Sequence, residues 1–216
     1  MIITGTQAKA ADRYAIDVLK IPSLILMERA SRFVADAVLS SDRKDDTVVL
    51  CGVGNNGADG VCVGKMLREE GLKPRVLICG NLEKASWEFL RQLSEYKSAE
   101  GVPEYLHEAE DFRNTVREAG LLVDAAFGIG LKRPLEGIWK QVLSDADRLD
   151  AYRIAVDVPS GINADTGEAM GAHIRADETF TFGKNKTGLV SGAGAAAAGK
   201  IHVCDIGIPE EVYRML

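Results

Sequence analysis

The sequence predicts an α/β domain with a mainly parallel sheet covered by helices on both faces. Short apolar β-type runs alternate along the chain with helix-length amphipathic stretches, the pattern of strands joined by helical crossovers. Several runs end in turns rich in Gly, Asn, Asp or Ser, and no Pro/Ser-rich linker or internal repeat interrupts them. One domain spanning residues 1–216 is the expectation.

Thr4-Gly5-Thr6-Gln7 fits a capping box, with Thr4 as N-cap and Gln7 at the third helical position, so a helix should run to about Leu19. Pro22 suits the first turn of a second helix, whose apolar positions include Leu26, Met27, Val34 and Val38. Thr47–Cys51 reads as a strand, and a helix from about Asp59 to Glu70 is closed by Gly71. Arg75–Cys79 is the next strand, followed by helical stretches near Lys84–Lys97 and Asp111–Ala119. Leu121–Val123 is a strand, Pro134 to about Ala146 a helix, and Arg153–Val156, Thr179–Phe182 and Ile201–Cys204 are further strands.

With 46% hydrophobic and 27% charged residues, the composition is that of a soluble globular protein with a sizeable core. The formal charge of -6 and the lack of a dense basic stripe argue against nucleic-acid binding. Cys51, Cys62, Cys79 and Cys204 form no C-x-x-C pair, and read as reduced core thiols of a cytoplasmic protein. The start lacks the pattern of a signal peptide, and no apolar run reaches the length of a membrane span.

Three polar loops follow strands. The first, Gly52 to Gly60, satisfies G-x-G-x-x-G through Gly52, Gly54 and Gly57. The acidic residue that the dinucleotide fingerprint needs after the next strand is missing, since that strand ends Cys79-Gly80-Asn81. What remains is a helix start able to hold an anion, beside Asn55, Asn56 and Asp59. A purely structural turn needs the glycines but not those polar side chains.

The second loop runs from Asp124 through Gly128, Ile129, Gly130, Leu131, Lys132 and Arg133 to Pro134. Gly128 and Gly130 let backbone approach a ligand, and Lys132 and Arg133 either meet phosphates or form a solvated face. The third is Asp157-Val158-Pro159-Ser160-Gly161. Ser160 is not in a G-x-S-x-G elbow, and none of His107, His173 and His202 is linked to it, which argues against a serine hydrolase. Carboxylates, amide oxygens and a hydroxyl converging on one crevice suit a hard cation rather than zinc. Crowded carboxylates also raise one another's pKa, as acid/base work requires. Gly194–Lys200 mimics part of a P-loop, but Ile201 stands where Ser or Thr should be and a strand follows. Glu210-Glu211 reads as a solvated terminus.

Taken together these residues resemble the YjeF N-terminal domain family, the NAD(P)H-hydrate epimerases. The resemblance spans nearly the whole chain: Thr4, Gln7 and Asp12, then Ile21-Pro22 and Leu26-Met27-Glu28, all three loops, Asp165-Thr166-Gly167, Thr179 to Gly183, Lys186, Gly188 and Asp205 to Pro209. It implies a Rossmann-like three-layer α/β/α sandwich that interconverts the R and S forms of hydrated NADH or NADPH, with a separate dehydratase restoring the S form. By position it implies substrate contacts at Asn55, Asn56, Gly57, Ala58 and Asp59, at Gly128 to Pro134, and at Asp157. It also implies potassium held by Asn56, Asp124 and Ser160, and a homodimer. Asp157, central among the loops, is the expected proton donor and acceptor.

The chain departs from the family at Ala58, where Gly is usual, at Arg29-Ala30-Ser31, where Asn-Ala-Gly is usual, and at Asn185, where Pro is common. Family members fused to the dehydratase make this chain either free-standing or one half of such a fusion. Two other classes stay open: a non-catalytic nucleotide-binding or scaffold module of the same fold, and a nicotinamide-dependent dehydrogenase resting on G-x-G-x-x-G alone.

Overall fold

The computed structural model describes residues 1–216. A two-residue strand, β1 (Ile2–Ile3), leads into α1 (Gly5–Asp17), which begins with both bonds of the Thr4/Gln7 capping box. Helix α2 (Ser23–Leu39) follows. Then come β2 (Thr47–Cys51), α3 (Asn55–Glu69), β3 (Arg75–Cys79), α4 (Trp87–Ser98), β4 (Glu104–Leu106) and α5 (Ala109–Thr115). The second half holds β5 (Leu121–Ala125), α6 (Gly137–Ala146), β6 (Tyr152–Val156), β7 (Glu178–Phe182), β8 (Asn185–Lys186), α7 (Gly192–Ala197), β9 (Lys200–Cys204) and α8 (Glu210–Arg214).

Seven strands form one sheet in the order β4-β3-β2-β5-β6-β7-β9, and every pairing is parallel. Side chains alternate along β2 because successive residues of a strand point to opposite faces. Val49 and Cys51 enter a core shared with Val34 and Val38 of α2, Val61 of α3 and Phe89 of α4. Val48 and Leu50 enter a second core with Phe112 of α5 and Leu143 of α6. Two helical layers therefore sandwich the sheet, covering both faces as the alternating pattern predicts, in the three-layer Rossmann-like arrangement that the resemblance implies. A third cluster packs Ala8, Ala11 and Ala15 of α1 against Leu26, Ile208 and Tyr213.

The differences from the sequence reading lie at element ends. Helix α3 starts at Asn55, not near Asp59, because Gly54 serves as its N-cap and accepts the bond from Ala58 N at 2.9 Å. Helix α6 starts at Gly137 rather than Pro134, since Leu135 N is bound to Met170 O at 2.8 Å, tying the preceding segment to another loop. Helix α1 stops at Asp17, and Lys20 adopts a left-handed φ of 57°. Strands β1, β4 and β8 are too short to show a period of two. The sequence Glu210–Arg214 is not a merely solvated end: it forms α8, buries Val212 and Tyr213, and Glu210 pairs with Lys184. The stretch resembling a P-loop runs from helix α7 into strand β9, the reverse of the strand-to-helix order such a loop needs.

Close approach of α3 to the sheet depends on Gly60. A β-carbon there would lie 2.4 Å from Ala125 Cβ and 2.8 Å from Cys51 Sγ. Gly60→Ala is therefore expected to lower stability by roughly 1–3 kcal/mol through overpacking, read as a lower urea midpoint at unchanged m-value.

Candidate active site

From β2 the chain winds outward through β3 and β4, then returns to add β5, β6, β7 and β9 on the other side of β2. The crossovers leaving β2 and β5 thus diverge, and a parallel sheet opens its ligand crevice at such a reversal, beyond the carboxyl ends of the strands. A cavity of about 850 Å³ lies there, within the range of small-molecule sites. Asn55, Asn56 and Asp59 line it from the start of α3, Gly128 to Leu131 from the loop after β5, and Asp157 from the end of β6.

The glycines of the first loop have separate tasks. A β-carbon at Gly57 would meet Gly52 O at 1.9 Å, and one at Gly52 would meet Ala126 O at 2.3 Å, so both serve contacts of the chain with itself. Gly54 and Gly130 have no atom within 4 Å of that position and leave room for a ligand. The first-turn N–H groups of α3 have no partner within the helix, which suits an anion. Gly57 and Ala58 are buried behind this rim and do not line the cavity. Ala58 sits in ordinary helical backbone in the core, so its methyl group brings no strain.

The second and third loops are knotted together by Asp124, which is fully buried. Its Oδ1 accepts from Ser160 Oγ at 2.5 Å and its Oδ2 from Ser160 N at 2.7 Å. Ser160 Oγ in turn accepts from Phe127 N at 2.8 Å. No basic side chain pairs with Asp124, and burial pushes its pKa up to about 6 against the opposing bonds from Ser160. Asn56, which abuts Gly128 of the second loop, carries a buried Nδ2 with no hydrogen-bond partner.

Asp157 has a left-handed backbone, with φ of 65°. Its N–H bonds Phe180 O at 2.8 Å. Its Oδ1 accepts from Lys186 Nζ at 2.5 Å, Thr181 Oγ1 at 3.1 Å and Phe182 N at 3.3 Å. Lys186 is buried, and its Nζ also donates to Phe182 O at 2.7 Å. All the protein's bonds to this carboxylate thus fall on one oxygen, and Oδ2 is left for a ligand.

Four more carboxyls line the cavity, Asp12, Asp17, Asp59 and Glu88. Asp12 projects from α1, and burial together with the nearby Asp157 charge raises its pKa to about 6, against the opposing charge of Lys186. Burial and the charges of Asp157, Asp12 and Glu88 hold Asp59 well above the usual carboxylate range. The sequence reading assigned no role to Asp12 or Lys186. A carboxylate flanked by Ala8, Ala11 and Ala15 on the packed side of an amphipathic helix is the signal for Asp12. Phe127 and Trp139 form an aromatic wall in edge contact, with ring centroids 4.6 Å apart. Lys132, Arg133 and Pro134 stand outside the cavity lining, and Lys132 is 2.6 Å from Asp165 Oδ2. Arg29 and Ser31 also lie outside it: Arg29 bonds Ile206 O at 3.0 Å and Ser31 bonds Asp59 O at 3.1 Å. No helix is long and apolar enough to cross a membrane.

Residues 23–188 match the family described as YjeF-related protein N-terminus. A Limosilactobacillus fermentum protein named NAD(P)H-hydrate epimerase is 42% identical over 206 residues, covering 94% of this chain and 95% of that one. A protein of the same name from Levilactobacillus brevis is 39% identical, covering 95% and 94%. A yeast protein of known crystal structure superimposes with a TM-score of 0.75 at 21% identity, covering 87% of this chain and 82% of that one, and so shares the fold.

Removing Lys186 would leave the Asp157 carboxylate buried without its cation. Lys186→Met is expected to destabilise by about 3–5 kcal/mol. Adding Asp157→Asn to it should recover a large part, giving a clear coupling energy in a urea-denaturation double-mutant cycle.

Proposed function

The chain belongs to the YjeF-related N-terminal family, and we propose that it is an NAD(P)H-hydrate epimerase, an isomerase acting on both hydrated NADH and hydrated NADPH. The observation that carries this reading is Asp157, whose Oδ1 is fixed by Lys186 and Thr181 while Oδ2 is left to a cavity of nucleotide size. Inversion at C6 of the reduced nicotinamide needs the hydroxyl to leave and return on the other face, or the ring to open and reclose. Either route needs a group that gives and takes a proton, and Asp157 Oδ2 is that group. The first turn of α3 and the Gly128–Leu131 loop hold the phosphates and ribose, and the Phe127–Trp139 wall offers a flat apolar face to a ring. The departures at Ala58, Arg29 and Ser31 fall in helix packing rather than in the cavity, which favours the enzyme over a scaffold.

Potassium is part of the proposal. Asp124, Ser160 and Asn56 form an oxygen-donor group, and the residues fit a hard monovalent cation on two counts. Asp124 is a fully buried carboxyl with no basic partner, and the orphaned Asn56 Nδ2 marks an amide that, turned over, presents its oxygen instead. A bound cation would supply the charge that offsets the Asp124 carboxylate. Ser160 orients that carboxylate and ties it to Phe127 N, which keeps the second loop in place over the cavity.

One domain over residues 1–216 carries the activity, as a homodimer in the cytoplasm. The four free, buried cysteines suit a reducing compartment. An S-specific dehydratase is the functional partner, because epimerisation by itself repairs nothing.

Purified R-form hydrate coupled to that dehydratase should be converted rapidly, and Asp157→Asn should slow kcat by about 100-fold or more. Near-full activity in a folded Asp157→Asn protein would remove Asp157 from this role. Absence of conversion by the wild type would return the chain to the binding-module reading. Replacing choline with potassium at about ten to a hundred times its Kd should add about 1.4–2.7 kcal/mol of stability, seen as a higher Tm. Asp124→Asn should abolish that increment.

A further inference from the structure

We infer that Asp12 is the second proton-carrying group of the site, set on the helical wall of the cavity while Asp157 rises from the sheet, so that the two serve opposite faces of one planar ring. The inference rests on the epimerase reading above and deepens it. Four observations carry it. Asp12 lies among the alanines of α1 that pack against the C-terminal segment, where an aliphatic side chain would be the ordinary choice. It lines the cavity together with Asp157 and Lys186. The short ladder of β1 and β8, with Ile3 opposite Lys186, ties the start of α1 to the strand that holds the Asp157 partner. Its carboxyl makes no hydrogen bond or ion pair with the rest of the chain, unlike Asp157, Asp124 or Asp165.

The chemistry balances with one proton. In the R-to-S direction the Asp12 carboxyl protonates the C6 hydroxyl. The C6–O bond breaks, water leaves, and the N1 lone pair forms a C6=N1 iminium cation. Water then adds to C6 from the other face, its electron pair forming the new C6–O bond as the C=N electrons return to N1. The surplus proton passes to Asp157 Oδ2. Nothing is oxidised or reduced, and the S-to-R direction runs the same steps backwards. Between turnovers in one direction the proton returns to Asp12 through solvent.

The other candidates are placed for different work. Lys186 Nζ is held by Asp157 Oδ1 and Phe182 O, which makes it a positioning residue. Burial and the charges of Asp157, Asp12 and Glu88 hold Asp59 well above the usual carboxylate range, and it projects from α3 rather than from the α1 wall that carries Asp12. The titratable groups that share the cavity wall with Asp12 are Asp157, Asp59, Glu88, Lys186 and Tyr213 from other elements, and Lys9, Arg13 and Asp17 on its own helix. Of these, Asp157 raises its pKa and Lys186 lowers it, after burial, to about 6.

The test compares Asp12→Asn, Asp12→Glu and Asp59→Asn in the coupled R-to-S assay. Asp12→Asn should lower kcat by about 100-fold or more while KM changes by less than about threefold. Asp12→Glu should recover part of the loss. In the wild type, kcat/KM should fall as pH rises through the Asp12 pKa near 6, and that limb should vanish in Asp12→Asn. Retention of kcat within about threefold, or a loss confined to Asp59→Asn, overturns the assignment. If the wild type does not epimerise at all, the functional reading falls first. Carbon-13 NMR of the carboxyls then decides the remaining claim: a signal titrating near 6 that is lost in Asp12→Asn and moves in Asp157→Asn supports the pair, and titration in the ordinary aspartate range overturns it.

Discussion

A parallel sheet forces every connection to leave from the same edge, so the loops after its strands gather at one end of the molecule. In this protein the chain reverses its direction of winding beside β2, and the loops leaving β2 and β5 part to either side. That reversal creates the cavity, and it determines where polar residues are permitted. β2 and β5 are buried along their whole length, so a polar side chain in their bodies has no water to turn to. Asp124 is a carboxylate in the body of β5, and it is tolerated because Ser160 supplies bonds to both of its oxygens. Asn55, Asn56, Asp59, Asp157 and Asp12 stand at a strand end, in the first turns of α3 or on the covering helix α1, where the sheet no longer excludes a ligand.

The same constraint explains what could be read from the sequence. Strand runs such as Val48–Cys51 and Leu121–Val123 are apolar on both faces, which marks a covered parallel sheet without any knowledge of the partners. Asn55-Asn56, Asp124 and Asp157 follow such runs directly, so their convergence could be argued from topology alone. Asp12 and Lys186 could not be placed that way. They lie far apart in the chain and meet through a ladder of two residue pairs, Ile2 with Asn185 and Ile3 with Lys186, too short to leave a periodic signature. The start of α3 was no more legible. Gly54 caps α3 without a side-chain bond, and a run of Asn and Gly that reads as loop is in fact the first turn of a helix.

Charge in the cavity is unbalanced by design of the fold rather than by composition. Asp12, Asp59 and Asp157 share a space in which the buried cation is Lys186, and it is committed to Asp157. A buried carboxylate beside another carboxylate is stabilised by taking up a proton. Asp12 and Asp59 therefore titrate upward, for the same reasons of burial and like charge. Lys186 makes its ion pair with the third carboxylate, Asp157. The result is a set of chemically identical side chains distinguished by environment alone.

The backbone at Asp157 shows why this residue type is needed there. A left-handed φ of 65° costs most side chains of the order of 1–2 kcal/mol, and glycine would adopt it freely. Glycine, however, brings no carboxylate. Aspartate tolerates the left-handed region better than most residues, and here its Oδ1 accepts from Phe182 N of the neighbouring strand at 3.3 Å. The bond from Asp157 N to Phe180 O holds the twist from the other side. The turn swings the side chain off the line of β6 and across the end of β7, where Thr181 and Lys186 can reach one oxygen. An extended backbone would instead point the side chain to one face of the sheet. The strain at this position and the one-sided hydrogen bonding of its carboxylate are therefore two consequences of the same turn.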